Sequence, residues 1–127
     1  MIRNNKITLS VDCMGGDNSV DDIVGGVKQF CSENIHDTLL LHGDKKALSR
    51  ALDKHPEIKK MCKIRHSEKV IQMGDKPSQS IRGGKNSSMW NSIESVKSSK
   101  AEVAISCGNT GSLMAISTLL LRKLPDV

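Results

Sequence analysis

The stretch from Ala101 to Leu121, AEVAISCGNTGSLMAISTLLL, constrains the fold of this chain more than any other. Val103, Ala104 and Ile105 form a short apolar run that stops at Ser106, as a buried parallel strand would. From Leu113 onward the apolar residues run too long for another strand, so the reading is strand, tight turn, helix. Cys107-Gly108-Asn109-Thr110-Gly111 is the turn. Gly108 and Gly111 let the backbone take positive φ or approach a ligand, and Asn109 or Thr110 can cap the helix. The remaining N-terminal amides, with the helix dipole, suit an anion such as phosphate or a developing oxyanion. Spacing alone leaves an ordinary βα connection with a polar cap equally open.

Upstream, the pattern repeats this alternation of strand and helix. Ile7, Leu9 and Val11 alternate with Thr8 and Ser10 in a first strand that ends at Asp12. The loop Cys13-Met14-Gly15-Gly16-Asp17-Asn18 follows, at the strand end that faces the ligand crevice in an open α/β sheet. Asp12, Asp17, Gly15 and Gly16 are therefore candidate site residues, and the absence of GxGxxG leaves little support for a dinucleotide site. Ser19 and Asp22 have the spacing of a capping box, opening a helix that runs to about Asn34 with Ile23, Val24, Val27, Phe30 and Cys31 at helical spacing. Thr38 to His42 reads as a second buried strand, and Ala47, Leu48, Ala51 and Leu52 as a short helix that ends before Pro56. A third strand is placed at Cys62 to His66, then an irregular loop from Gln72 to Pro77.

From Ser78 the spacing predicts one long helix with Ile81, Met89, Ile93 and Val96 inward. Its difficulty is Gly83-Gly84, which costs a helix about 2 kcal/mol relative to two alanines. Either the helix starts after them or backbone passes close to something there. Arg82 and Lys85 supply charge, and Ser87 and Ser88 supply hydroxyls and a cap. Together they make a candidate phosphate-handling cluster, against a solvent-facing Arg/Lys pair at comparable odds.

Composition removes several classes of function. With Phe30 and Trp90 as the aromatics, there is no stacking platform for single-stranded nucleic acid, so nucleic-acid binding ranks low. Cys13, Cys31, Cys62 and Cys107 form no CxxC pair and no zinc spacing, so a metal site is not expected, and reduced cytosolic thiols are the default. The four histidines, at 36, 42, 55 and 66, have no partner at ligand spacing. The first six residues lack the apolar region of a signal peptide, and no apolar run approaches the roughly 18 residues of a membrane span. A cytoplasmic protein is expected, with peripheral attachment to a membrane left open. The formal charge of +5 favours an anionic partner or substrate. At 127 residues and 37% hydrophobic the chain can build one core. Its end directly after an apolar helix reads as an unfinished sheet.

Three blocks in register give a more specific signal: Asp12-Cys13-Met14-Gly15-Gly16-Asp17; Pro77-Ser78-Gln79-Ser80-Ile81-Arg82 with Lys85, Ser87, Ser88 and Met89; and Ser106-Cys107-Gly108-Asn109-Thr110-Gly111-Ser112-Leu113-Met114. They resemble the bacterial phosphate acyltransferases called PlsX, over nearly the whole chain and over the N-terminal part of that family. The resemblance implies a three-layer α/β/α fold with a mainly parallel sheet, similar to isocitrate and isopropylmalate dehydrogenases, truncated here to the N-terminal part of a single domain. It also implies homodimers, no cofactor, and transfer of an acyl group from acyl-acyl carrier protein to inorganic phosphate for phospholipid synthesis. On that basis Asn109, Arg82 and Lys85 are the expected catalytic residues. Gly15, Gly16, Asp17, Ser87, Ser88, Gly108, Thr110 and Gly111 are expected at the substrate and phosphate. Lys59, Lys60 and Lys63 are candidates for docking the acidic carrier protein. Cys13 and Cys107 stand where the family typically has alanine, and Asn18-Ser19-Val20 replaces its usual proline. Two alternatives stand beside this reading: a thiol acyltransferase using Cys107, and an inactive fragment that only binds phosphate or dimerises.

Overall fold

Alternation along four short strands decides the layering. In the computed structural model, which describes residues 6–122, the order is β1 (Thr8–Asp12), α1 (Val20–Glu33), β2 (Thr38–Gly43), α2 (Lys45–Asp53), a 3-10 helix (Pro56–Met61), β3 (Cys62–His66), α3 (Pro77–Gly83), α4 (Ser88–Lys97), β4 (Val103–Ser106) and α5 (Thr110–Leu121). The readings of a missing leader and of the chain end rest partly on residues 1–5 and 123–127, which lie outside the described residues. All strand pairs are parallel, in the order β3-β2-β1-β4, with β1 between β2 and β4.

Leu9 and Val11 of β1 lie beside Leu39 and Leu41 of β2 and point to one face of the sheet. There they form a continuous core with Val24 and Val27 of α1 and Leu48, Ala51 and Leu52 of α2. Burying each such side chain contributes about 1.5–3 kcal/mol. On the opposite face α4 crosses β1, β2 and β4, and α5 packs on α3 and α4. A second core of Ile71, Met89, Trp90, Ile93 and Ile116 fills that layer. Helices on both faces of a parallel sheet make the three-layer α/β/α arrangement expected from the sequence. The expected capping box is present: the Asp22 amide donates to Ser19 Oγ at 3.1 Å, and the Ser19 amide to Asp22 Oδ2 at 3.4 Å.

Two expectations need correction. The single helix from Ser78 is two helices, because the chain breaks after Gly83 and takes a left-handed step at Asn86, φ 71°, before Ser87 caps α4. Ile81 is accordingly exposed rather than inward, while Met89 and Ile93 are buried as expected. The strand β4 is not buried on both faces, since Val103 and Ile105 are each 42% exposed. It is the edge of the described sheet, and the core formed by α1 lies over β1 and β2.

Candidate functional site

Parallel strands bring their C-terminal ends to one rim, and a polar row crosses the sheet just below it. In register these residues are Arg65 of β3, His42 of β2, Asp12 of β1 and Ser106 of β4. Asp12 is 2% exposed. Its Oδ1 accepts from the Met14 amide at 3.1 Å, and its Oδ2 from the Ser106 hydroxyl at 2.7 Å. Ser88, at the start of α4, is buried beside this carboxyl. Burial nevertheless raises its pKa above the ordinary carboxylate value, outweighing the hydrogen bonds from Ser88, Ser106 and the Met14 amide. The neighbouring Cys13 thiol is pushed up to about 12, by burial first and then by the charge of Asp12. Cys13 is therefore a protonated core thiol and no nucleophile.

Above this row three loops meet. Gly15 has φ 81°, and a Cβ there would stand 2.5 Å from the Ile71 carbonyl oxygen. At Gly16 a Cβ would stand 2.7 Å from the Cys107 carbonyl oxygen. The paired glycines are thus what lets the loop after β1 fit between the loop at Ile71 and the turn before α5. Pro77, the first residue of α3, packs against Gly111. The Ser80 and Ser112 hydroxyls share a buried hydrogen bond of 2.6 Å, joining α3 to α5.

Asn109 is the cap of α5. Its Oδ1 accepts from the Ser112 amide at 3.1 Å, and its Nδ2 donates to the carbonyls of Gln72, Met73 and Asp75 at 3.1, 3.2 and 2.7 Å. One side chain therefore starts the helix and ties down the 72–75 loop. Ser112 and Leu113 amides are taken by the cap, leaving the Thr110 and Gly111 amides without a hydrogen-bond partner among the described residues. Both residues are exposed, at the positive end of a 12-residue helix.

Residues 7–127 match the family described as fatty acid synthesis protein. The chain belongs to this family. Its relatives include the phosphate acyltransferase of Cereibacter sphaeroides, 45% identical over 122 residues, covering 96% of this chain and 33% of the relative. The phosphate acyltransferase of Caulobacter vibrioides is 45% identical over 117 residues, covering 92% of this chain and 32% of the relative. That of Paracoccus denitrificans is 42% identical over 121 residues, covering 95% and 33%. The chain thus spans about a third of the length of these members of the fatty acid synthesis protein family.

All three sequence blocks that suggested this family meet at the rim, but their members differ in access. Gly15, Gly16, Thr110 and Gly111 are at least partly accessible, Asp17 is exposed, and Gly108 is buried with its amide donating to Ser106 Oγ at 3.0 Å. Ser87 is fully buried and caps α4 through the Trp90 amide at 3.1 Å, while Ser88 is buried beside Asp12. These two serines are structural in this arrangement. Arg82 and Lys85 are exposed. The Arg82 Nε donates to the Ser78 carbonyl at 3.4 Å, so its side chain runs back along α3 toward Pro77. Sequence reasoning missed Ser106, Ser112 and the 72–75 carbonyls. It also missed that α4 turns Ser88, Ser92 and Ser95 to the sheet, although their i, i+4, i+7 spacing is a helix face.

Proposed function

We propose that this chain carries the phosphate-binding part of an acyltransferase that moves a fatty acyl group from acyl-acyl carrier protein to inorganic phosphate, giving acyl phosphate for phospholipid synthesis. The observation that carries the reading is the pair of Thr110 and Gly111 amides at the start of α5, without a hydrogen-bond partner among the described residues and beside the Gly15–Gly16 loop. The name phosphate acyltransferase on relatives 42–45% identical supports it.

In this mechanism phosphate sits as a dianion on the two amides, with Arg82 and Lys85 adding positive field from α3 and the break after it. A phosphate oxygen attacks the thioester carbonyl carbon, forming a C–O bond. The oxyanion that develops needs preorganised donors, and helix-terminal amides are such donors. Collapse breaks the C–S bond, and the carrier thiolate leaves with the proton that phosphate gives up. Neither a cofactor nor an acyl-enzyme is needed. Asn109 serves by presenting the amides, since its own amide group is spent on the 72–75 loop.

The reading brings acyl carrier protein as partner, a homodimer, and peripheral membrane association from the cytoplasm. Lys60 and Lys63 are the better candidates for the carrier interface, because Lys59 is already paired with Asp53. No helix among the described residues is long and apolar enough to cross a membrane.

The test is phosphate-dependent thiol release from acyl-acyl carrier protein, by this chain alone and by this chain joined to the remaining two thirds of the Cereibacter sphaeroides relative. Turnover in at least one is expected, and silence in both overturns the reading. In the active version Arg82→Ala should raise the phosphate requirement about tenfold and leave the acyl-donor requirement within about twofold. Equal effects on the two would remove Arg82 from the phosphate site. Charge reversal at Lys60 and Lys63 should flatten the salt dependence of the acyl-donor requirement, and an unchanged salt dependence would place the carrier elsewhere.

A further inference from the structure

The carboxylate of Asp12 reaches two of the loops that meet at the rim, yet it is too deeply buried to meet a substrate. It holds the Met14 amide at the start of the Gly15–Gly16 loop at 3.1 Å. It also holds the Ser106 hydroxyl, which in turn accepts from the Gly108 amide. Gly108 sits directly against it, since a Cβ there would stand 3.5 Å from Asp12 Oδ2. We propose that Asp12 is the positioning residue of this site, its single carboxylate setting the placement of the Gly15–Gly16 loop and of the turn that presents the Thr110 and Gly111 amides. The inference rests on the phosphate-transfer reading above for its effect on turnover, and on geometry alone for its effect on the loops.

The direction of each hydrogen bond makes Asp12 hard to replace. Ser106 Oγ accepts from an N–H and so has its own proton to give, and Asp12 Oδ2 is the acceptor it finds. An asparagine amide nitrogen at that position would also donate to Ser106 Oγ, leaving the hydroxyl proton facing a donor. The half-buried hydroxyl would then turn away or lose the Gly108 amide. Asparagine can still accept from the Met14 amide, so Asp12→Asn should loosen the α5 turn more than the glycine loop. Ser106→Ala cuts the link to Gly108 while leaving Asp12 with the Met14 amide, and Ser106→Thr keeps the hydroxyl.

Two readouts test this. In this chain, amide NMR of Asp12→Asn and Ser106→Ala should shift the Gly108, Thr110 and Gly111 resonances, and inorganic phosphate should bind about tenfold more weakly to either variant. Ser106→Thr should restore both. In whichever version turns over, the phosphate requirement should rise about tenfold in Asp12→Asn and Ser106→Ala, with the acyl-donor requirement within about twofold. A folded Asp12→Asn or Ser106→Ala with parental turn resonances and parental phosphate affinity overturns the inference. If Asp12→Asn does not fold, the Ser106→Ala and Ser106→Thr pair decides alone. If the parent shows neither turnover nor phosphate binding, the acyltransferase reading fails, while the turn resonances still decide the role of Asp12.

Discussion

The two faces of the sheet are made by alternate residues of the same strands, and they are built on opposite principles. One face presents Leu9, Val11, Leu39 and Leu41 to the apolar sides of α1 and α2. The other presents Ser10, Asp12 and His42 to α4, whose inner side carries Ser88, Ser92 and Ser95. There directed hydrogen bonds run beside Leu40 and the second apolar core: Ser10 Oγ donates to the Ser92 carbonyl at 2.8 Å, and Ser92 Oγ to the Ser88 carbonyl at 2.7 Å. An apolar face can be repacked by sliding, because dispersion and hydrophobic burial have little direction. A buried polar face has one arrangement that satisfies its groups, and that arrangement also positions the loops of the rim. The α1/α2 face thus contributes burial alone, and site placement is separated onto the face that joins a core to directed hydrogen bonds.

The sharpest break of that separation is on the apolar face. Leu41 is fully buried, and Leu41→Ala should cost about 2–5 kcal/mol in urea unfolding through lost burial and the cavity left behind. Its effect should be global. At denaturant-free conditions where the variant is still mostly folded, the Gly108 and Gly111 resonances should stay within the parental pattern. A shift at the rim as large as that from Ser106→Ala would mean that the two faces are not independent.

A test of similar size belongs to the polar face. His42 is buried, with Nε2 at 3.3 Å from Ser95 Oγ. Because Ser95 Oγ donates to the Asn91 carbonyl at 3.0 Å, the ring donates from Nε2, and Nδ1 has no hydrogen-bond partner among the described residues. Burial first, and then the charge of Arg65, lower its pKa from 6.5 to about 4. A lowered folded-state value means that the contribution is present above 6.5 and lost as pH falls through about 4, amounting to about 3 kcal/mol. Asp12 has the opposite sign: its raised pKa gives a contribution present below the ordinary carboxylate value and lost as pH rises through the raised one. The comparison that isolates His42 is the parent against His42→Gln, which keeps a donor near Ser95. Urea unfolding between pH 7 and pH 4 should show the parent losing more stability than the variant. Parallel pH profiles would mean that the ring titrates alike in the folded and unfolded states.

How far the sequence reveals this design differs between the faces. The apolar face was legible, because Leu9/Val11 and the TLLLH run have strand periodicity and each residue acts through burial alone. The βα turn at Cys107–Gly111 and the Ser19/Asp22 cap were legible for a different reason, since both are local hydrogen-bonding patterns. Ser80 with Ser112 and Asp12 with Ser106 lie 32 and 94 residues apart, and no local pattern announces such pairs. The serine side of α4 was hidden because its polar residues look like a solvent face until the rest of the sheet supplies their partners. The break after Gly83 was half visible: the helix cost of two glycines flagged it, while the positive φ of Asn86 that completes the break did not.

The smallest expected effect is at Cys107, and it separates a site built on amides from one built on a thiolate. Cys107 lies two residues before the α5 cap and is exposed, the position at which a nucleophilic thiol near a helix N-terminus would stand. In the geometry described here its role is carried by the backbone, whose carbonyl meets Gly16 while the next amides form the turn. An alanine keeps that backbone and removes only the sulfur. Cys107→Ala should therefore change stability by less than about 0.5 kcal/mol, as an exposed substitution does, and leave phosphate-dependent thiol release at the parental rate. A variant that stays folded and binds phosphate but loses turnover would move the reaction onto the sulfur. An acyl-Cys107 thioester would then form first, and phosphate would attack it in a second step. The amides at Thr110 and Gly111 would still bind phosphate, but as the second substrate of a two-step exchange, and a burst of carrier thiol in the absence of phosphate would report it.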